Sequence, residues 1–133
     1  MKYLLDTNIC IYIIKKKPKK VIEKLTKLKI SDVGISSITL CELEYGVNKS
    51  KNINKNRLAL IEFLAPIEIF PFNDLAAVEY GKIRNYLEKK GTIIGSMDLL
   101  IAAHAKSLNC ILVTNNEREF KRISKLIIEN WII

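Results

Sequence analysis

Four acids and one amide, far apart in the sequence, are the residues best suited to chemistry: Asp6, Glu42, Asp98, Glu119 and Asn116. Asp6 ends the apolar run Tyr3-Leu4-Leu5, which reads as a short buried strand stopping at a carboxylate. In open α/β sheets ligands sit outside the carboxyl ends of the strands, so an acid there faces the place where sites are built. Glu42 lies between Cys41 and Leu43, and Asp98 between Met97 and Leu99, so both begin segments that are apolar on most sides. Burying a carboxylate without a partner is costly, and a shared cation is the cheapest common partner for three of them. With no His or Cys convergent on them, an all-oxygen set points to a hard cation, Mg²⁺ or Mn²⁺, rather than zinc.

Each acid also has a purely structural explanation. Asp6 fits the N-cap of a helix starting near Asn8. Thr39-Leu40-Cys41-Glu42 fits a capping box with Glu42 at its third position, and Asp98 follows a candidate cap, Ser96, where negative charge complements the helix dipole. Asn116 and Glu119 fit a cap with its acid three residues on. The lone histidine, His104, lies six residues past Asp98, roughly 120° around a helix, and reads as structural. No glycine-rich phosphate loop, Ser-His-Asp arrangement or Cys-His pair is present, which argues against the commoner nucleotide-binding and covalent chemistries.

The elements that must position these residues alternate strand and helix. Strands are expected at Tyr3–Leu5, Val33–Ile35, Ile67–Phe72, Cys110–Val113 and Leu126–Ile133. Helices are expected over Ile9–Ile14, from Pro18 to Lys29, after Ser36-Ser37 through Ile38–Val47, through Leu58–Leu64, from Asn73 or Asp74 to Lys90, from Ser96 through Ala105, and briefly over Glu117–Arg122. Lys49 to Arg57 reads as a basic connection. This alternation predicts one α/β domain over residues 1–133: a short parallel sheet of four to five strands with helices on both faces. In that topology Asp6, Glu42, Asp98, Thr114, Asn116 and Glu119 all fall on one sheet edge.

At 133 residues the chain buries about two-thirds of its unfolded surface and needs no covalent staples. Its three cysteines, each in an apolar stretch, read as free core thiols in a reducing cytosol. The 22 basic side chains against 14 acids give a net charge of +8, which suits a polyanionic partner or a solvated basic surface. No apolar run approaches the ~20 residues that a bilayer requires, and Asp6 interrupts the only segment resembling a signal peptide.

Four stretches carry a family resemblance: L-L-D-T-N, S-S-I-T-L-C-E-L-E-Y-G-V, S-M-D-L-L-I-A-A-H-A and L-V-T-N-N-E-R-E-F. In that order they resemble the PIN-domain ribonucleases, and more narrowly the VapC toxins of bacterial VapBC toxin-antitoxin pairs. The resemblance implies a PIN-like fold with Asp6, Glu42 and Asp98 as metal-binding catalytic acids, and with Thr114 and Asn116 in a fourth motif. Thr7, Asn8 and Thr114 are then supporting residues. PIN domains often carry an acid where this chain has Asn116, so either the amide ligates or Glu119 supplies the charge. The activity implied is Mg²⁺-dependent cleavage of structured RNA, tRNA foremost, with Mn²⁺ able to substitute. Implied partners are a VapB-like antitoxin and a second copy of the chain, as a homodimer and a heterotetramer or larger complex with antitoxin, in the cytoplasm and away from membranes. Competing readings are a housekeeping RNA-processing nuclease, a metal-dependent phosphohydrolase and a non-catalytic basic nucleic-acid-binding domain. The phosphohydrolase is weakened by Asn8, which stands where an Asp-x-Asp motif needs its second acid.

Overall fold

The computed structural model describes residues 2–133. Five short strands, β1 (Tyr3–Leu5), β2 (Val33–Ser36), β3 (Glu68–Phe70), β4 (Ile111–Val113) and β5 (Ile128–Glu129), form one parallel sheet in the order β3-β2-β1-β4-β5. The order reverses at β1: the chain winds outward through β2 and β3, then returns to add β4 and β5 on the other side. A crevice therefore opens at the carboxyl ends of β1 and β4, the kind of switch point where open α/β sheets place their ligands.

Alternation along the strands divides the core. Leu4 and Leu112 face a cluster built on α5 (Asp74–Lys90) and α6 (Ser96–Leu108), whereas Leu5 and Val113 face the opposite cluster. That second cluster is covered by α1 (Thr7–Lys15), α2 (Lys19–Thr26), α3 (Ser37–Asn48) and α4 (Ile53–Leu64). Covered on both faces, the central strands β1 and β4 are continuous apolar runs, as parallel sheets require. The short α7 (Glu117–Phe120) follows β4.

Most helix ends follow the sequence signals. Asn73 caps α5 by accepting from Ala76 N, and Gly91, at φ +66°, ends it in the left-handed conformation that glycine adopts without strain. Four expectations are corrected. Ser96 is not the cap of α6 but its first residue, and Gly95 takes the cap position with no side-chain bond. The basic connection is shorter than expected, because Asn52 caps α4 and Ile53–Arg57 are already helical. The last strand shrinks to two residues, since only Ile128 and Glu129 reach β4. Cys10 and Cys110 are core thiols as expected, but Cys41 is exposed.

Candidate active site

Asp6 sits where β1 ends and α1 begins, on the carboxyl edge of the sheet, and it caps α1 as expected. As the cap of α1 it accepts from Thr7 N at 2.7 Å through Oδ1, while Oδ2 accepts from the hydroxyl of Thr114 at 2.7 Å. Thr114 follows β4, so this bond spans the switch-point crevice. The Thr114 hydroxyl oxygen also accepts from Asn116 N at 3.0 Å, fixing the turn that leads to α7. Asp6 is 4% exposed, and burial raises its pKa. The two hydrogen bonds work against that rise, and the nearby charge of Glu42 adds to it.

Glu42 lies in the second turn of α3, because the helix starts earlier than its sequence suggests. Ser36 is the cap, accepting from Ile38 N, so Thr39 is inside the helix and the expected Thr39–Glu42 capping box does not form. Freed of that duty, Glu42 Oε1 accepts from the hydroxyl of Thr7 at 2.6 Å, and Thr39 Oγ1 lies 3.4 Å from the same hydroxyl. Thr7 thus joins the residue after Asp6 to Glu42. Asn8, one residue further, is exposed and makes no side-chain hydrogen bond among the described residues.

Asp98 is in the first turn of α6, where it complements the helix dipole as expected. Its Oδ2 accepts from Asn116 Nδ2 at 3.1 Å, and the same amide donates to Glu119 Oε2 at 2.9 Å. Asn116 starts α7 without capping it, so its side chain serves the acids instead. The Asp98 pKa is pushed up to about 7, first by burial, then by its hydrogen bond with Glu119 and by the charges of Asp6, Glu119 and Glu42. The Glu119 pKa moves down, mainly through its pairing with Asp98 and then through the bond it accepts from Asn116. The structure therefore brings Asp6, Thr7, Glu42, Asp98, Thr114, Asn116 and Glu119 to one edge, with Asn8 standing outside their hydrogen-bond network.

The donor set suits a hard divalent cation: four carboxylates, an amide and two hydroxyls, with mutual repulsion that a cation relieves. The acids are not, however, pulled into one sphere; among the described residues no three acidic, histidine or cysteine side chains are grouped closely enough to hold a metal ion. Thr7 holds Glu42 and Asn116 holds Asp98, so each acid has its own hydrogen bonds to exchange for a cation. Sequence reading missed two contributors, Thr39 and the bond from Asn115 Nδ2 to the Tyr12 hydroxyl, which ties the end of β4 to α1. Thr39 was hidden behind the capping-box pattern, and nothing in the sequence pairs Tyr12 with Asn115. His104 is structural as expected, buried and bonded to Ser36. A groove of about 330 Å³ between α1, α3 and α4 reaches Glu42 and has Lys15 and Asn56 on its rim.

A switch-point crevice lined by acids from four separate elements defines a class, and the PIN domain model matches the chain over residues 3–126. The chain is 52% identical over 132 residues to ribonuclease VapC2 of Rickettsia felis, with 98% of each chain covered. It is 46% identical over 132 residues to the tRNA(fMet)-specific endonuclease VapC of Salmonella typhimurium, again with 98% of each covered. Among solved structures it superposes on a chain of VapBC2 from Rickettsia felis bound to a DNA fragment from their promoter, with a TM-score of 0.92 and 50% identity. That match covers 98% of this chain and 99% of the other. For DNA-bound VapBC from Salmonella typhimurium the TM-score is 0.93 at 44% identity, with 98% of each chain covered. The chain belongs to the PIN-domain family and, within it, to the VapC ribonucleases.

Proposed function

We propose that this ribonuclease is the toxin of a type II toxin-antitoxin pair, an endonuclease that cleaves tRNA and is silenced by a VapB-like antitoxin. The observation that carries the reading is its end-to-end likeness to a tRNA(fMet)-specific endonuclease VapC, joined to a four-acid crevice of suitable chemistry. Asp6, Glu42 and Asp98 would hold Mg²⁺, or Mn²⁺ in its place, with Asn116 or Glu119 as the further ligand. Such a cation supplies Lewis acidity toward a phosphodiester and lowers the pKa of water beside it.

The chain's own residues do the rest. Thr7 N and the Thr114 hydroxyl hold both oxygens of Asp6 in one orientation, leaving little rotamer freedom to lose when it acts. Asp98, with its pKa raised to about 7, is the acid of the site able to take up or release a proton near neutral pH. Clustered carboxylates also suit the antitoxin, since a guanidinium can bridge two of them. The protein works in the cytoplasm, where tRNA is, and no helix among the described residues is long and apolar enough to cross a membrane. Exposed Leu75 and Val78 on α5 offer apolar area for a homodimer, and for a heterotetramer or larger complex with antitoxin.

The test is cleavage of a tRNA(fMet) transcript with Mg²⁺, with chelator, and by Asp6→Asn. Loss of a ligand from a preorganised site costs about 3 kcal/mol or more of transition-state stabilisation, roughly a hundredfold in kcat/KM. Full activity in Asp6→Asn sinks the catalytic assignment. A chain that no protein encoded beside it binds or inhibits is a housekeeping nuclease and not a toxin.

A further inference from the structure

The net charge of this molecule is concentrated in one place. Between Lys15 and Lys29 stand eight lysines and a single acid, Glu23; the remaining residues hold 14 cations and 13 acids, and are nearly neutral. The eight lysines lie on the last turn of α1, on α2 and on the residues flanking α2. They are exposed, and among the described residues none is ion-paired or stacked on an aromatic ring. Cations elsewhere are partly engaged: Arg57 with Glu44, Arg84 with Glu88, Lys49 over Tyr45 and Lys90 over Tyr86. The basic segment is also tied to the site, because α1 starts at Asp6 and ends at Lys15, on the rim of the groove that reaches Glu42. At ~1.5 Å per residue Lys15 lies roughly 14 Å along the helix axis from Asp6, less than half a turn of a nucleic-acid duplex.

We infer that α2 and its flanking lysines form a docking surface for the RNA backbone away from the scissile bond. The inference rests on the nuclease reading above and names where the substrate's remaining charge is held. Two observations favour RNA over a protein partner. Lysines offer point charges suited to phosphates without reading sequence. The outward face of α2 carries no exposed large apolar or aromatic side chain of the sort that anchors a protein interface. Val21, Ile22 and Leu25 of α2 turn toward the core, so the lysines are presented from a fixed scaffold.

The experiment is direct binding of a tRNA(fMet) transcript in chelator, where no cleavage is expected, over a range of salt concentrations. Three proteins are compared: the parent, Lys19/Lys20/Lys24/Lys27→Gln, and a control with the same charge change elsewhere, Lys82/Lys89/Lys90/Lys125→Gln. Gln and Lys have similar helix propensities, so the α2 variant keeps its helix, which circular dichroism checks. If four phosphate contacts are lost, the slope of log Kd against log salt falls by about three to four for the α2 variant. Its Kd at physiological salt should rise at least about tenfold, while the control stays within about threefold of the parent. Equal effects in the two variants mean that only overall charge matters, and overturn the surface. A parent that cleaves tRNA while the α2 variant keeps the parent's slope overturns the docking surface and leaves the nuclease reading intact. A parent that neither binds nor cleaves tRNA overturns both. An α2 variant that loses antitoxin and keeps RNA assigns the surface to the protein partner, and overturns the inference as well.

Discussion

At the scale of single residues the fourth-motif position shows how an amide can stand among acids. Asn116 donates one hydrogen bond to Asp98 and one to Glu119, so it separates two carboxylates that would otherwise repel. As a ligand it would instead turn its oxygen toward a cation and bring no charge, leaving Glu119 to supply the fourth negative group. Glu119→Gln should therefore raise the Mg²⁺ concentration for half-maximal RNA cleavage by several-fold. Asn116→Asp should lower it, while reducing thermal stability without metal because it replaces a donor with a fifth closely placed carboxylate. Gln at position 119 still accepts from Asn116, so a purely structural Glu119 gives a metal titration that overlays the parent. Overlaid curves for both variants remove Asn116 and Glu119 from the site.

At the scale of elements, α3 and α6 carry Glu42 and Asp98, and their relative position is set by a buried latch. His104 Nδ1 and Ser36 Oγ are 2.7 Å apart, and Ser36 Oγ also accepts from Ile38 N, so one hydroxyl both starts α3 and fastens it to α6. The end of β3 joins in through Phe72, whose N–H donates to Ser37 Oγ and whose ring meets His104 edge-on, with 5.5 Å between centroids. Ser36→Ala removes the cap and orphans a histidine that is 1% exposed. Denaturant unfolding should show a loss of about 2–3 kcal/mol, against under about 1 kcal/mol for Ser36→Thr, which keeps the hydroxyl. The histidine was legible as structural, but Ser36 was not legible as its partner. A Ser-Ser pair after a strand signals a cap without saying which serine, and the choice of Ser36 is what moved Glu42 out of its expected capping box. In α4 the sequence marks a helix without saying which apolar residues turn inward: Leu58 and Ile61 are exposed and Leu60 is buried, a choice that tertiary packing makes. The sheet edge was legible throughout because parallel topology fixes where each strand ends, whatever the errors of one or two residues in length.

At the scale of the whole molecule, the fold spends stability on holding acids together. The Asp98 pKa, ordinarily 3.8, is raised to about 7 by burial, by its bond with Glu119 and by the surrounding negative charges. Between those values the folded state holds a proton that the unfolded state has released. The contribution of Asp98 to stability is thus complete below about pH 4 and is lost as pH rises through about 7. Asp6, raised in the same direction by burial, acts with the same sign, and Glu119, half-buried and lowered, opposes it. In chelator, Asp98→Asn should therefore melt at a higher temperature than the parent at pH 8, with the gap closing toward pH 4. Divalent metal should reverse the order, since a ligand that binds only the folded state adds about 2.7 kcal/mol at a hundred times its Kd. For a chain of this size that corresponds to roughly 5–10 °C in Tm. The parent should gain that shift from Mg²⁺ or Mn²⁺ at pH 8, and Asp98→Asn should gain much less. Melting curves over pH 4–8, with chelator and with each metal, provide the measurement. Equal metal shifts in the two proteins would place any bound cation away from Asp98, and a parent more stable than Asp98→Asn in chelator at pH 8 would mean that the clustered charges cost the fold nothing.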